Sequence, residues 1–243
     1  MTILSNLKTD DSIQEDKDVL GGGYRPLESG LYDLTIESAY VGTSQGGAVS
    51  LNIVAKTEDQ QTVRQTLWMT SGKAKGCKNY YEDANGTRKY LPGFTSANNL
   101  CLLTVGKEIG DLEPEEKVIN LYDYDAKKEL PTKVQMIVEL VGQEITAGVV
   151  KQTVDKNVKD GNGNYVPSGE TRDENEISKF FRKRDGMTVA EIKAEAAEAV
   201  FKTQWAEKNT GVTINKAKGL SGAAGVPQQA NTSAPKPAKS LFS

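Results

Sequence analysis

From Gly30 to Val41 the chain alternates between two sets of side chains. One set is Leu31, Asp33, Thr35, Glu37 and Ala39; the other is Tyr32, Leu34, Ile36, Ser38 and Tyr40. The second set is the more apolar, so a period of two predicts a half-buried strand with that set inward. Ser44 to Gly47 reads as a turn, and Val49, Leu51, Ile53 and Ala55 line one face of a second strand over 48–56. Glu58 to Gln61 turns the chain again, and a third strand over 62–69 carries Val63, Leu67 and Trp68. A polar excursion follows over 70–93. The pattern then predicts a short helix over 96–105, capped by Thr95 or Ser96, with Leu100, Leu103 and Leu102 on its inner side. After an acidic connector over 111–116, further strands are predicted over 118–122, 133–141 and 145–154, with a tight turn over 160–164. From Thr188 to Ala206 the period becomes helical through Val189, Ile192, Ala196, Ala199, Val200 and Phe201. Thr188 and Glu191, three residues apart, have the spacing of a capping box.

This order predicts a mainly β protein of the OB-fold class, a five-stranded Greek-key barrel with a short helix between its third and fourth strands. A β-sandwich would accept the same strands but does not call for the helix. Four regions are expected. Residues 1–23 form a flexible acidic leader with five acids against two lysines, closed by Gly21-Gly22-Gly23, and 24–158 form the barrel. Residues 159–219 form a basic connector and one C-terminal helix, and 220–243 form a disordered tail rich in Gly, Ala, Pro and Ser. The apolar tip Leu241-Phe242 of that tail is a candidate partner-binding element.

Composition narrows the chemistry. The formal net charge is −3, so nucleic-acid binding would need a local basic patch rather than a bulk excess. Histidine is absent, which removes the commonest general base and metal ligand. Cys77 and Cys101 are too few for a zinc site or a disulfide framework. The acids Asp111, Glu113, Glu115 and Glu116, and the pair Asp123 and Asp125, lie in polar connectors and read as solvated runs. No metal, cofactor or catalytic residue is expected. A metal-dependent nuclease is therefore the weakest of three functional classes, and a virion or assembly-related interaction module stands between it and a binding protein. The leader has neither the basic nor the apolar region of a signal peptide, and no run of about 18 apolar residues suggests a membrane span.

Two clusters carry binding chemistry. Residues 68–94 interleave Trp68, Tyr80, Tyr81, Tyr90 and Phe94 with Lys73, Lys75, Lys78, Arg88 and Lys89, against two acids, Glu82 and Asp83. Single-stranded nucleic acid calls for this mixture, because cations follow phosphates and flat rings stack on bases. The bland alternative is a solvated hairpin whose rings close over the end of the barrel. The second cluster, Lys179-Phe180-Phe181-Arg182-Lys183-Arg184, offers a further phosphate contact or, equally, a connector paired with its own acids.

Several segments resemble single-stranded DNA-binding proteins of tailed bacteriophages, podoviruses in particular. They are Pro26 to Tyr40, Gly46-Gly47, Leu51 to Val54 leading to Leu67-Trp68, Tyr90-Leu-Pro-Gly-Phe94, Val141-Gly142, Gly148 to Lys151 and Glu174 to Phe181. The resemblance covers residues 24–215. It implies an OB-fold that coats single-stranded DNA in the cytoplasm of the infected bacterium during replication, recombination and repair. It also implies recruitment of replication, recombination or transcription proteins through the C-terminal tail. Tails in that group are commonly acidic, whereas this one is basic, with Lys236 and Lys239.

Overall fold

The structure is a computed structural model that describes residues 25–123, 126–161 and 165–218. The leader, Asp125 and the tail with Leu241 and Phe242 lie outside them. The fold is mainly β, and ten strands and three helices follow one another along the described chain. They are β1 (Gly30–Thr43), β2 (Val49–Thr57), β3 (Thr62–Trp68), β4 (Tyr80–Glu82), β5 (Arg88–Tyr90), α1 (Pro92–Thr104), β6 (Glu115–Asp123), β7 (Lys128–Met136), β8 (Glu144–Lys159), β9 (Tyr165–Phe181), α2 (Val189–Lys193), α3 (Val200–Asn209) and β10 (Thr213–Asn215).

β1 organises the main sheet. One edge pairs antiparallel with β2 over most of its length. The other edge pairs first with β8, from Gly30 opposite Val149 to Thr35 opposite Glu144, and then with β7 at Tyr40 and Val41. β2 pairs with β3, β8 with β9, and β10 lies parallel to β8. β9 comes back beside β3, where the backbone N–H of Ile177 donates to Gln65 Oε1 at 2.9 Å. The enclosed core contains Leu34, Ile36, Leu51, Ile53, Val63 and Leu67 from the first three strands, Leu100 and Cys101 from α1, and Ile145, Val149, Ile177 and Phe180 from the last long pair. Burial drives the Cys101 thiol up to about 12, so it remains a protonated apolar residue.

The inward face of β1 departs from strict alternation. Register shifts between Ile36 and Ser38, so one extra residue enters the strand. Leu34 and Ile36 are buried before this bulge and Ala39 after it, while Ser38 and Tyr40, expected inside, are only half-buried. A one-residue bulge reverses parity, which a uniform period of two cannot anticipate.

Other boundaries also moved. α1 begins at Pro92, four residues before the expected start, and neither Thr95 nor Ser96 caps it. Proline suits a first helical turn because its missing N–H would have had no helical partner there. The predicted strand over 133–141 ends at Met136. Its apolar remainder, Ile137 and Leu140, is buried by a 3-10 turn over Val138–Leu140 instead of by a pleat. The predicted helix over 188–206 is two helices, because residues 194–199 leave helical geometry. Its Thr188–Glu191 capping box is present, but Val200 and Phe201 point outward and Trp205 supplies the buried contact.

The largest departure is β9. Residues 165–181, expected within a connector, form a strand of 17 residues, so the division at 158 falls inside a β8–β9 hairpin. The outer part of that hairpin is a two-stranded arm exposed on both faces, as Val158, Tyr165 and Val166 show. A strand wet on both sides needs no alternation, so its polar sequence gave no period to read.

Candidate functional site

β3 alternates cleanly. Val63 and Leu67 are buried, and Arg64, Thr66 and Trp68 face out. Trp68 is 47% exposed, so it belongs to the surface and not to the core. Its position is fixed from the side by α1. A Cβ on Gly93 would lie 2.1 Å from the Trp68 carbonyl oxygen, so the first turn of α1 can approach β3 this closely only as glycine.

The excursion after β3 is held in place by backbone bonds. Lys73 N donates to the Gly46 carbonyl at 2.8 Å, Ser71 N to Lys78 O at 2.8 Å, and Leu91 N to Asn79 O at 2.8 Å. Its far end is the β4–β5 hairpin, with Tyr80 opposite Tyr90, Tyr81 opposite Lys89 and Glu82 opposite Arg88. Opposed residues share a face of an antiparallel pair. Tyr80, Tyr90, Glu82 and Arg88 therefore occupy one face, and Tyr81 and Lys89 the other. Lys78 Nζ and the Arg88 guanidinium lie 5.5 and 5.1 Å from the Tyr80 ring centroid. Tyr90, 63% exposed, tilts against half-buried Phe94 with ring centroids 5.0 Å apart.

Three depressions adjoin along this side of the molecule. A polar one of about 530 Å³ is lined by Thr62, Arg64 and Gln65 together with Gln152, Glu174 and Glu176. A more apolar one of about 1010 Å³ shares Gln65, Thr66 and Glu176 with the first, and adds Trp68, Lys75, Leu91, Pro92, Gly93, Val150, Ile177, Ile214 and Lys216. A third, of about 320 Å³, shares Ser71, Lys75 and Leu91 with the second and adds Lys78, Tyr80, Tyr81 and Glu82. The result is a continuous groove from Arg64, past Trp68, to the tyrosines of the hairpin. β3, the excursion and the start of α1 form one side. β8, β9 and β10 form the other.

The expected site residues divide accordingly. Trp68, Lys75, Lys78, Tyr80 and Tyr81 line the groove. Lys73, on the excursion, packs its stem against Gly47 in the turn between β1 and β2. No ion pair joins Lys73, Lys75 or Lys78 to an acid among the described residues. Arg88 and Lys89 are more committed, to Glu82 at 3.2 Å and Asp83 at 2.8 Å. The Lys89 contact, joined by the Thr87 and Asn85 amides, holds the Asp83 carboxyl below its ordinary value.

The second cluster does not join the groove. Phe180 and Phe181 are 4% and 0% exposed and are structural. Arg182 donates to both oxygens of Asp185 at 3.0 Å, Arg184 lies 3.6 Å from the same carboxylate, and Lys183 pairs with Asp33. Lys179 Nζ sits 5.1 Å from the Phe201 ring centroid. Arg182 and Lys183 are thus paired with acids, while Arg184 shares the Asp185 carboxylate with Arg182 and its side chain stays 74% exposed. Beside them Trp205 docks α3. Its Nε1 donates to Ser178 Oγ at 3.1 Å, and its ring covers Gly148 so closely that a Cβ there would lie 2.7 Å away.

Sequence reading missed Arg64, Gln65 and Thr66, although the outward alternation of β3 pointed to Arg64 and Thr66. It also missed Glu176 and Ile214, which come from strands it did not predict, and Lys216, which follows β10 directly. Among the described residues no three Cys, Asp or Glu side chains converge as a metal site, and no helix is long and apolar enough to cross a membrane. No protein-family model matches this chain, and no curated protein is significantly similar to it.

Proposed function

We propose that the protein is an OB-fold binder of single-stranded DNA with little sequence preference, acting in phage DNA replication and recombination. Support for the fold comes from the pairing order β3–β2–β1–β8–β9, the return of β9 to β3, and α1 lying between the third strand and the later long pair. Read this way, β1, β2, β3, β8 and β9 are the barrel, and β4–β5 and β6–β7 are insertions. The observation that carries the function is the groove itself. It brings exposed Trp68 and Tyr81 and half-buried Tyr80 together with Lys75 and Lys78, which pair with no acid among the described residues, in a chain whose net charge is −3. Bases would stack on the rings and phosphates would follow the lysines. The terminal Leu241-Phe242 would serve as a docking element for replication, recombination or transcription enzymes.

The test is titration with a labelled oligo-dT at low and moderate salt, with a duplex of equal length as reference. Binding to oligo-dT that weakens as salt rises, with weaker binding to duplex, is the expected result. Absence of binding at low salt would end this reading, and equal binding of duplex would end its single-strand part.

A further inference from the structure

The groove wall opposite Trp68 carries an ion pair that the binding reading does not use. Lys216 Nζ lies 2.5 Å from Glu176 Oε2, and both residues line the large depression. Glu176 also lines the adjoining polar depression, so it stands where the two meet. Lys216 belongs to the short segment that β10 fastens to β8. Its own N–H donates to Thr153 O at 2.8 Å, and the next residues are tied to Asn215 and Asp155 side chains at 3.0 and 2.8 Å. The backbone of Lys216 is therefore anchored, while its side chain remains 47% exposed and that of Glu176 37% exposed. An exposed pair of this kind contributes little to stability, so the lysine can change partners at small cost.

We infer that Lys216 is a ligand-contacting residue held in reserve by Glu176, and that an entering phosphate takes the place of the Glu176 carboxylate. This inference rests on the single-stranded DNA reading of the groove. Empty, the wall carries a neutralised pair and presents no cation. With a strand in the groove, Lys216 turns to the phosphate, completing a cationic line with Lys75 across the cleft, and Glu176 is left to water. The carboxylate thus lowers affinity for any polyanion that does not enter deeply enough to reach Lys216. That requirement favours a slim, flexible strand over a duplex.

The experiment compares oligo-dT affinity and its salt dependence for the full-length wild type, Lys216→Ala and Glu176→Gln, with thermal melting of each as a check on folding. Lys216→Ala is expected to bind about twofold to fivefold more weakly, the range for one exposed charge contact. Its salt slope is expected to fall by about 0.7, the single-strand value for one lost phosphate contact. Glu176→Gln is expected to bind about twofold to fivefold more tightly. If the wild type binds and either variant matches it in affinity, or Lys216→Ala changes only the melting temperature, this inference is overturned and the DNA reading stands. If the wild type itself fails to bind oligo-dT, both fall together.

Discussion

Gly93 meets the backbone of Trp68 with no space between them: a Cβ on the glycine would sit 2.1 Å from the tryptophan carbonyl oxygen. Backbone cannot swing aside as a flexible side chain would, so the contact ties the first turn of α1 to the end of β3. Gly93→Ala is therefore expected to destabilise the fold by roughly 1–3 kcal/mol, the usual cost of overpacking, or more. Denaturant unfolding of the two proteins measures this. An alanine variant as stable as the wild type would mean that α1 can shift without cost.

Trp68 should report on the ligand directly. The chain has two tryptophans, and the other, Trp205, is 8% exposed on the opposite side of the β8–β9 pair from the core. Oligo-dT is expected to quench tryptophan emission in the wild type and not in Trp68→Ala. The substitution should weaken binding by about 1–3 kcal/mol, the contribution of one stacked base. Quenching that survives in Trp68→Ala would place the base contact elsewhere.

The two cationic clusters should behave differently. Lys75→Ala removes an uncommitted groove cation and is expected to lower the salt slope of oligo-dT binding by about 0.7. Arg184→Ala, in the cluster outside the groove lining, is expected to leave both affinity and slope unchanged. Equal effects of the two substitutions would contradict the division drawn here between groove and connector.

Glu191 joins α2 to α3. Its carboxylate accepts from Thr188 N at 2.8 Å and Thr188 Oγ1 at 2.9 Å, and from Phe201 N at 2.8 Å. Partial burial alone would raise its pKa, but the Phe201 and Thr188 hydrogen bonds outweigh that and hold it below its ordinary 4.5. A carboxyl lowered in the folded state stabilises the protein above its unfolded pKa, and that contribution is lost as pH falls through the folded pKa. Stability should therefore decline as pH drops below the ordinary Glu range, and Glu191→Gln should flatten that part of the curve. At neutral pH, Glu191→Ala is expected to cost roughly 0.5–2 kcal/mol, as loss of a cap does. Thermal melting across pH 3–7 measures both effects. A Gln variant that keeps the full acid slope would assign the slope to other carboxyls, such as Asp185 or Asp33.

The first half of the fold was legible because its strands are wet on one side only. Val49 to Ala55 and Val63 to Leu67 alternate between core and water, and the structure places them as expected. The capping box at Thr188 was legible because two side chains at fixed spacing carry the whole signal. What failed was whatever lacked a period. Glu37 adds a residue to β1 and reverses its later face. Ile137 and Leu140 are buried by a turn. β9 runs its outer length through water on both faces. The groove followed the same division. Its aromatic and cationic excursion stood out by composition, whereas Glu176 and Ile214 come from strands with no periodic signal, Lys216 follows directly after β10, and the three converge only through pairing with β8.

The pairing of β1 with β8 also governs the order in which the molecule can be made. Gly30 finds Val149, and Thr35 finds Glu144, only after everything between them has been synthesised. Until then a nascent chain can form the β1–β2–β3 meander, but that meander has a bare edge, the kind that invites pairing with other chains. Contacts between such distant residues make folding slow, because the loop must close before the pairing can reward it. One wall of the groove belongs to β9 and β10, among the last described elements of the chain. A nascent chain that has not yet passed Lys216 therefore lacks part of the groove lining.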